Sequence, residues 1–172
     1  EPSVPIEIIA GVEKFIAPYL DKLTGKNIFE GAFLEEKFRF TIWNKVYHAT
    51  LCKEAYKTFN SVDNIFKAND LCFFFRLAYM AKSYMGIEDK FYHYRFGAGI
   101  TGKNRLSIST FETLCKQSQV SEMCRQFLIE QGTFEEYKKI HERINKNLLL
   151  ECIINWEKYL DEEDSIEGFK CL

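Results

Sequence analysis

The sequence predicts a mainly α domain with one or two short strands. Three observations carry that expectation. Apolar residues recur at steps of three and four through long stretches, as on one face of a helix. Two capping-box signatures, STFE at Ser109–Glu112 and TFEE at Thr133–Glu136, each precede such a stretch. Only 3 prolines and 9 glycines punctuate 172 residues, which favours long helices over many tight turns. With 47% hydrophobic and 28% charged residues, the chain can build a core.

Residues 5–23 read as a first helix, with Ile9, Val12, Ile16, Leu20 and Leu23 in register. Pro18 restricts Ala17, so a kink or break is expected there. TGKN (24–27) reads as a turn. IFEGAFLEEKFRFTIW (28–43) is ambiguous, but its end, KFRFTIW, alternates like a strand. NKVYHATLCKEAYKTF (44–59) reads as a short helix and NSVDN (60–64) as a polar loop. Asn69 is placed to cap a helix from Asp70 to about Ser83, with Leu71, Phe74, Phe75, Ala78 and Lys82 on its inner side. Apolar residues spill onto its other faces, so this helix should be nearly enclosed.

Residues 84–104 break the helical pattern. FYHYRF alternates aromatic residues like a strand or extended arm, and a glycine-containing loop follows. From Ser109 the pattern is helical again, with Phe111, Leu114, Cys115, Met123, Phe127 and Leu128 inward. The second capping box opens a long helix carrying Tyr137, Ile140, Ile144, Leu148, Cys152 and Trp156. The chain divides at this level into 1–104 and a helical tail, 105–172, packed on it as one structural unit.

Charge and composition narrow the function classes. A net charge of −2 with a pI near 6.0, and no strongly basic segment, argues against a nucleic-acid partner. DEEDSIE (161–167) reads as a solvated acidic end. Of the 6 cysteines, none forms a CxxC or a zinc-finger spacing. Cys72, Cys115, Cys124 and Cys152 fall on apolar helix positions and read as buried, reduced thiols, although the count would allow three disulfides. No run reaches the roughly 18 apolar residues of a membrane span, and no signal peptide is visible. A cytoplasmic chain is therefore expected, at most touching the inner face of the membrane. The sequence begins EPSVP without a methionine, which suggests a piece of something longer. Nucleotide-binding GxGxxG and P-loop motifs are absent, as are HExxH and GxSxG. His48 and His141 are expected to be exposed.

Asp70 stands behind Asn69 at the mouth of the apolar run LCFFF. Taken alone, it reads as an ordinary acidic first-turn residue favoured by the helix amides. Its context adds a second reading. IWNKVYHATLCKEAYKTF, then IFKANDLCFFFRLAYMAKSYMGIEDKFYHYRFGAGIT, resembles the acceptor-side, C-terminal half of family-2 glycosyltransferases, the inverting enzymes of bacterial surface polysaccharides. Trp43, Asn44, Lys45 and Tyr47 match a first element of that half. Asp70, Leu71, Phe73, Leu77, Ala81 and Lys82 match the helix that follows, and Tyr92, His93, Tyr94 and Arg95 match a later strand. The resemblance covers about residues 38–101.

It implies a fold like the C-terminal half of a GT-A enzyme without its nucleotide-binding sheet. Asp70 would be the general base that takes the acceptor hydroxyl's proton. His93 and Arg95 would balance charge on the leaving diphosphate, and Trp43 would face a sugar ring. Lys45 and Asn69 would belong to the same binding region. The family's usual Glu before the base is Asn69 here, and its metal-binding Asp-x-Asp occurs nowhere in the chain. The resemblance thus places the divalent metal (Mg or Mn), the nucleotide sugar and the nucleotide-binding units in a missing N-terminal half, and leaves this chain silent alone. A glycan or lipid-linked acceptor completes the implied partners. Self-association through exposed faces of Phe73–Phe75 and peripheral membrane contact through the mixed-charge tail are further readings. The rival function is a non-catalytic helical interaction module, in which Asp70 is only a helix-start charge.

Overall fold

The computed structural model describes residues 17–59, 67–89 and 105–172. The architecture is mainly helical with one short two-stranded antiparallel sheet, as the sequence predicts. Two compact units divide the chain: Glu1–Lys57 with Phe73–Tyr92, and Thr58–Cys72 with His93–Leu172.

In the first unit, β1 (Leu23–Thr24) leads through Gly25 into α1 (Lys26–Phe33). Gly25 has φ +53, a conformation glycine adopts without a Cβ penalty, and its amide donates to Lys82 O at 3.2 Å. After an irregular segment come α2 (Ala49–Lys57) and, beyond the loop, α3 (Asn69–Met80), whose residues from Phe73 onward belong to this unit. Strand β2 (Ser83–Tyr84) then pairs with β1, with Leu23 opposite Tyr84 and Thr24 opposite Ser83.

Aromatic rings hold this unit together. Phe29 meets Phe33 at 5.2 Å between centroids, Phe75 at 4.8 Å and Tyr79 at 5.4 Å, the last two edge to face. Phe38 stacks on Tyr84 at 4.1 Å and stands edge-on to Phe74. Such pairs contribute about 0.5–1.5 kcal/mol each beyond their buried area. Helix α3 is enclosed, as its composition predicts: Leu71, Cys72, Phe74, Phe75, Arg76, Leu77 and Ala78 are all buried.

Several boundaries differ from the sequence reading. Residues 17–22 are not helical and Leu23 is in a strand, so no helix reaches Leu23; Pro18 lies where the pattern fails. KFRFTIW (37–43) forms no strand. Phe38 and Thr41 are buried while Ile42 is exposed, so the alternation does not mark one face. The segment folds back instead: Glu36 takes φ +53 and the Lys37 amide donates to Gly31 O at 2.8 Å. Residues 44–48 are likewise irregular and precede α2. Helix α3 stops at Met80, because Ser83 is committed to pairing with Thr24, and Lys82 is exposed rather than inward.

The second unit contains α4 (Ile108–Cys115), α5 (Ser118–Glu130), α6 (Phe134–Tyr159), a 3-10 turn at Glu162–Asp164 and α7 (Ser165–Phe169). Helices α5 and α6 form a hairpin. Gly132, at φ +69, closes α5, with the Thr133 amide donating to Leu128 O at 2.9 Å and the Gly132 amide to Ile129 O at 2.9 Å. The core is Phe111, Val120, Cys124, Phe127, Leu128, Tyr137, Ile140, Ile144, Leu148 and Cys152. Leu106 bridges to Leu160, its amide donating to Tyr159 O at 2.7 Å.

What reads as one helix from Ser109 is two, α4 and α5, separated at Lys116–Gln117. Gln117 is buried there, and its Nε2 donates to Leu148 O at 2.8 Å and to Cys152 Sγ at 3.1 Å. The cap of α4 is Ser107 rather than Ser109: the Ser107 Oγ accepts the Thr110 amide at 3.4 Å. Thr133 occupies the cap position of α6 without a side-chain capping bond, and Tyr137 is non-helical, at φ −108 and ψ 15. All six cysteines are free thiols. Cys72, Cys124 and Cys152 are buried as expected, whereas Cys115 is only partly so; burial and the adjacent Cys152 still push its thiol up to about 12, leaving little thiolate.

Gly86 gives a test of the first unit. Its amide donates to Tyr19 O at 3.1 Å, and a Cβ added there would lie 2.3 Å from that backbone oxygen. Gly86→Ala is expected to lower stability by about 1–3 kcal/mol, the range for forced overpacking. Urea denaturation monitored by circular dichroism measures it, and an unchanged midpoint would remove this close approach from the account.

Candidate functional site

Asp70 lies in the first turn of α3, half-buried. Ala68 takes a left-handed conformation at φ +59 and its carbonyl accepts the Cys72 amide at 3.0 Å. The helix therefore begins one residue earlier than the Asn69 cap implies, with Ala68 as the flanking residue. Asn69 Oδ1 accepts the Asp70 amide at 2.8 Å, and Asp70 Oδ1 accepts the Leu71 amide at 2.8 Å. Two successive short polar side chains thus bind the first free amides, which have no partner further up the helix. The bond at Oδ1 orients the Asp70 carboxylate at the positive end of the helix.

Lys45 is held by its own neighbours. Its Nζ donates to Thr41 O at 2.6 Å and to Asn44 Oδ1 at 2.8 Å, and it lies 5.2 Å from the Phe74 ring centroid. Thr41, buried, also donates from Oγ1 to Asn44 Oδ1 at 2.8 Å. These bonds shape the irregular segment that carries the half-buried Trp43. Asn69 and Asp70 belong to the second unit, and Trp43 and Lys45 to the first. His93, Arg95 and the rest of FYHYRFGAGITGKN lie outside the described residues.

His48 is exposed, as expected, and its Nδ1 accepts the Thr50 amide at 3.3 Å. His141 is not on an exposed face. It is half-buried, 3.1 Å from Ser121 Oγ through Nε2, with its ring 5.8 Å from that of Phe134. The sequence places His141 one residue beyond Ile140 on α6, but only the hairpin with α5 brings Ser121 against it.

Arg76 is a position the sequence reading passed over. It is buried in the middle of α3, where a guanidinium is tolerated only with compensating partners. The signal was present: a lone charged residue inside FFFRLAYM. Among the described residues, no cluster of three His, Cys, Asp or Glu side chains could hold a metal ion, and no helix is long and apolar enough to cross a membrane. No known family model, curated protein or solved structure matches the chain.

Burial lowers the pKa of His141, outweighing the Ser121 hydrogen bond and the nearby Glu122, which act to raise it. The unfolded chain therefore binds this proton more tightly than the folded one, so stability should fall as pH drops below the unfolded value of about 6.5. His141→Gln should flatten the dependence. Urea titrations at about pH 7 and about pH 5.5 should show a smaller difference in the variant; equal differences in both proteins would contradict the assignment.

Proposed function

We propose that this chain is the acceptor-side portion of an inverting glycosyltransferase, with Asp70 as the general base. The observation that carries the reading is the position of Asp70: a half-buried carboxylate at the head of an enclosed apolar helix, oriented by the Leu71 amide. Supporting it is the ordered series from Trp43 through Asp70 to Arg95 that resembles the family-2 pattern.

In this reading the acceptor hydroxyl attacks the anomeric carbon of a nucleotide sugar. Its proton passes to Asp70, the new C–O bond forms, and the bond to the nucleoside diphosphate breaks with inversion. The bond from the Leu71 amide to Asp70 Oδ1 fixes the carboxyl plane, and the carboxylate takes the proton. His93 and Arg95 stabilise negative charge on the leaving diphosphate. Trp43 offers its indole face to a sugar ring, and Lys45, through Thr41 and Asn44, holds the segment that presents it. In this reading the metal (Mg or Mn) and the nucleotide would be held by the nucleotide-binding units that the resemblance implies, and the acceptor is a glycan or lipid-linked saccharide.

One specific observation favours a second reading, a non-catalytic helical module. A bond from Asp70 Oδ1 to its own helix amide is also what a purely structural first-turn aspartate makes. Asp70→Asn separates the two, because the amide oxygen keeps the bond to Leu71 while losing basicity. In a chain joined to its nucleotide-binding half, this variant should fall about a hundredfold or more in kcat, with donor KM and thermal stability little changed. Unchanged turnover would remove Asp70 from the chemistry.

A further inference from the structure

Helix α6 has two apolar faces. One, formed by Tyr137, Ile140, Ile144, Leu148 and Cys152, is buried in the second unit. The other is confined to the C-terminal half. Leu149, Leu150 and Ile154 are 46%, 43% and 44% exposed, and the partly exposed Ile153 lies among them. At 3.6 residues per turn this second stripe falls on the side of the helix opposite the buried one. Exposed Lys146 and Glu157 bound it at its two ends.

The order of residues along the stripe is self-complementary. Running forward it reads Lys146, Leu149, Leu150, Ile153, Ile154, Glu157, evenly arranged about the midpoint between Glu151 and Cys152. Laid antiparallel on a second copy, Lys146 meets Glu157, Leu149 meets Ile154 and Leu150 meets Ile153, and each pair occurs twice. A two-fold interface requires this reciprocity: residue i faces j, and j faces i. A parallel pairing would set Lys146 against Lys146 and Glu157 against Glu157.

The C-terminal helix extends the patch. The Trp156 indole donates from Nε1 to Ser165 O at 2.9 Å, and Phe169 packs on its ring at 5.7 Å. Ile166 and Phe169 are themselves largely exposed.

From this we infer that the exposed face of α6 is a homodimer surface, formed by antiparallel pairing of Lys146–Glu157 with the same segment of a second copy. The inference is independent of the catalytic reading of Asp70. The paired segment, Lys146–Glu157, is short, so a reversible dimer is expected rather than a permanent one.

Sedimentation equilibrium on the 172-residue chain, from low micromolar to a few hundred micromolar, is the test. The wild-type chain should fit a monomer–dimer equilibrium. Leu150→Glu, at an exposed position, should be monomeric throughout with an unchanged circular dichroism spectrum. Lys146→Glu and Glu157→Lys should each weaken the dimer by about tenfold, since each sets like charges opposite. Mixing these two variants should restore association as a mixed dimer. A wild-type chain that stays monomeric would assign the face to another occupant and overturn the inference. So would a dimer that survives Leu150→Glu or is indifferent to both charge changes.

Discussion

A helix buried on every side can solvate charge only at its ends, and that constraint organises α3. From Leu71 to Ala78 only Phe73 escapes full burial. The carboxylate of Asp70 is compatible with such a helix because it stands in the first turn, where amides lack partners and the backbone dipole favours a negative charge. Moved one turn toward Phe74, the same group would be desolvated among aromatic rings. The buried Arg76 is the exception within the helix, and it marks the place where enclosure must be compensated by polar partners.

In the second unit one polar side chain links two elements. At the break between α4 and α5, Gln117 turns inward, and its Nε2 donates to Leu148 O and Cys152 Sγ on α6. This ties the kink to the buried face of the long helix. The opposite face of α6 is then left with an apolar segment that its own unit does not bury. The same element thus serves the core with one stripe and offers another outward.

How much was legible in the sequence depended on whether local or distant partners decided the outcome. The long helix α6 was readable, because Tyr137, Ile140, Ile144, Leu148 and Cys152 recur at helical spacing and all are buried. So was the enclosure of α3. Capping was readable in kind but not in place: Ser107 precedes Thr110 by the same spacing that Ser109 precedes Glu112, and only the structure selects between them. KFRFTIW alternates correctly for a strand, yet alternation cannot supply a neighbour to pair with, and the chain turns at Glu36 instead. His141 was misread because its burial comes from Ser121 and Phe134, neither adjacent in sequence. Of the candidate site, the hydrogen bonds described at Asn69, Asp70 and Lys45 are made with residues within four positions, whereas the approach of Lys45 to the Phe74 ring is long-range. The convergence of Asp70 with His93 and Arg95 that the proposal requires is a long-range property that no spacing rule encodes.

The decisive measurement is a crystal structure of the full-length transferase that the proposal implies, bound to a nucleoside diphosphate and an acceptor saccharide. The account predicts an Asp70 carboxylate oxygen about 2.6–3.2 Å from the acceptor hydroxyl, with His93 and Arg95 against the diphosphate. An Asp70 whose oxygens are both taken up by α3 amides, with no saccharide hydroxyl in reach, would contradict it.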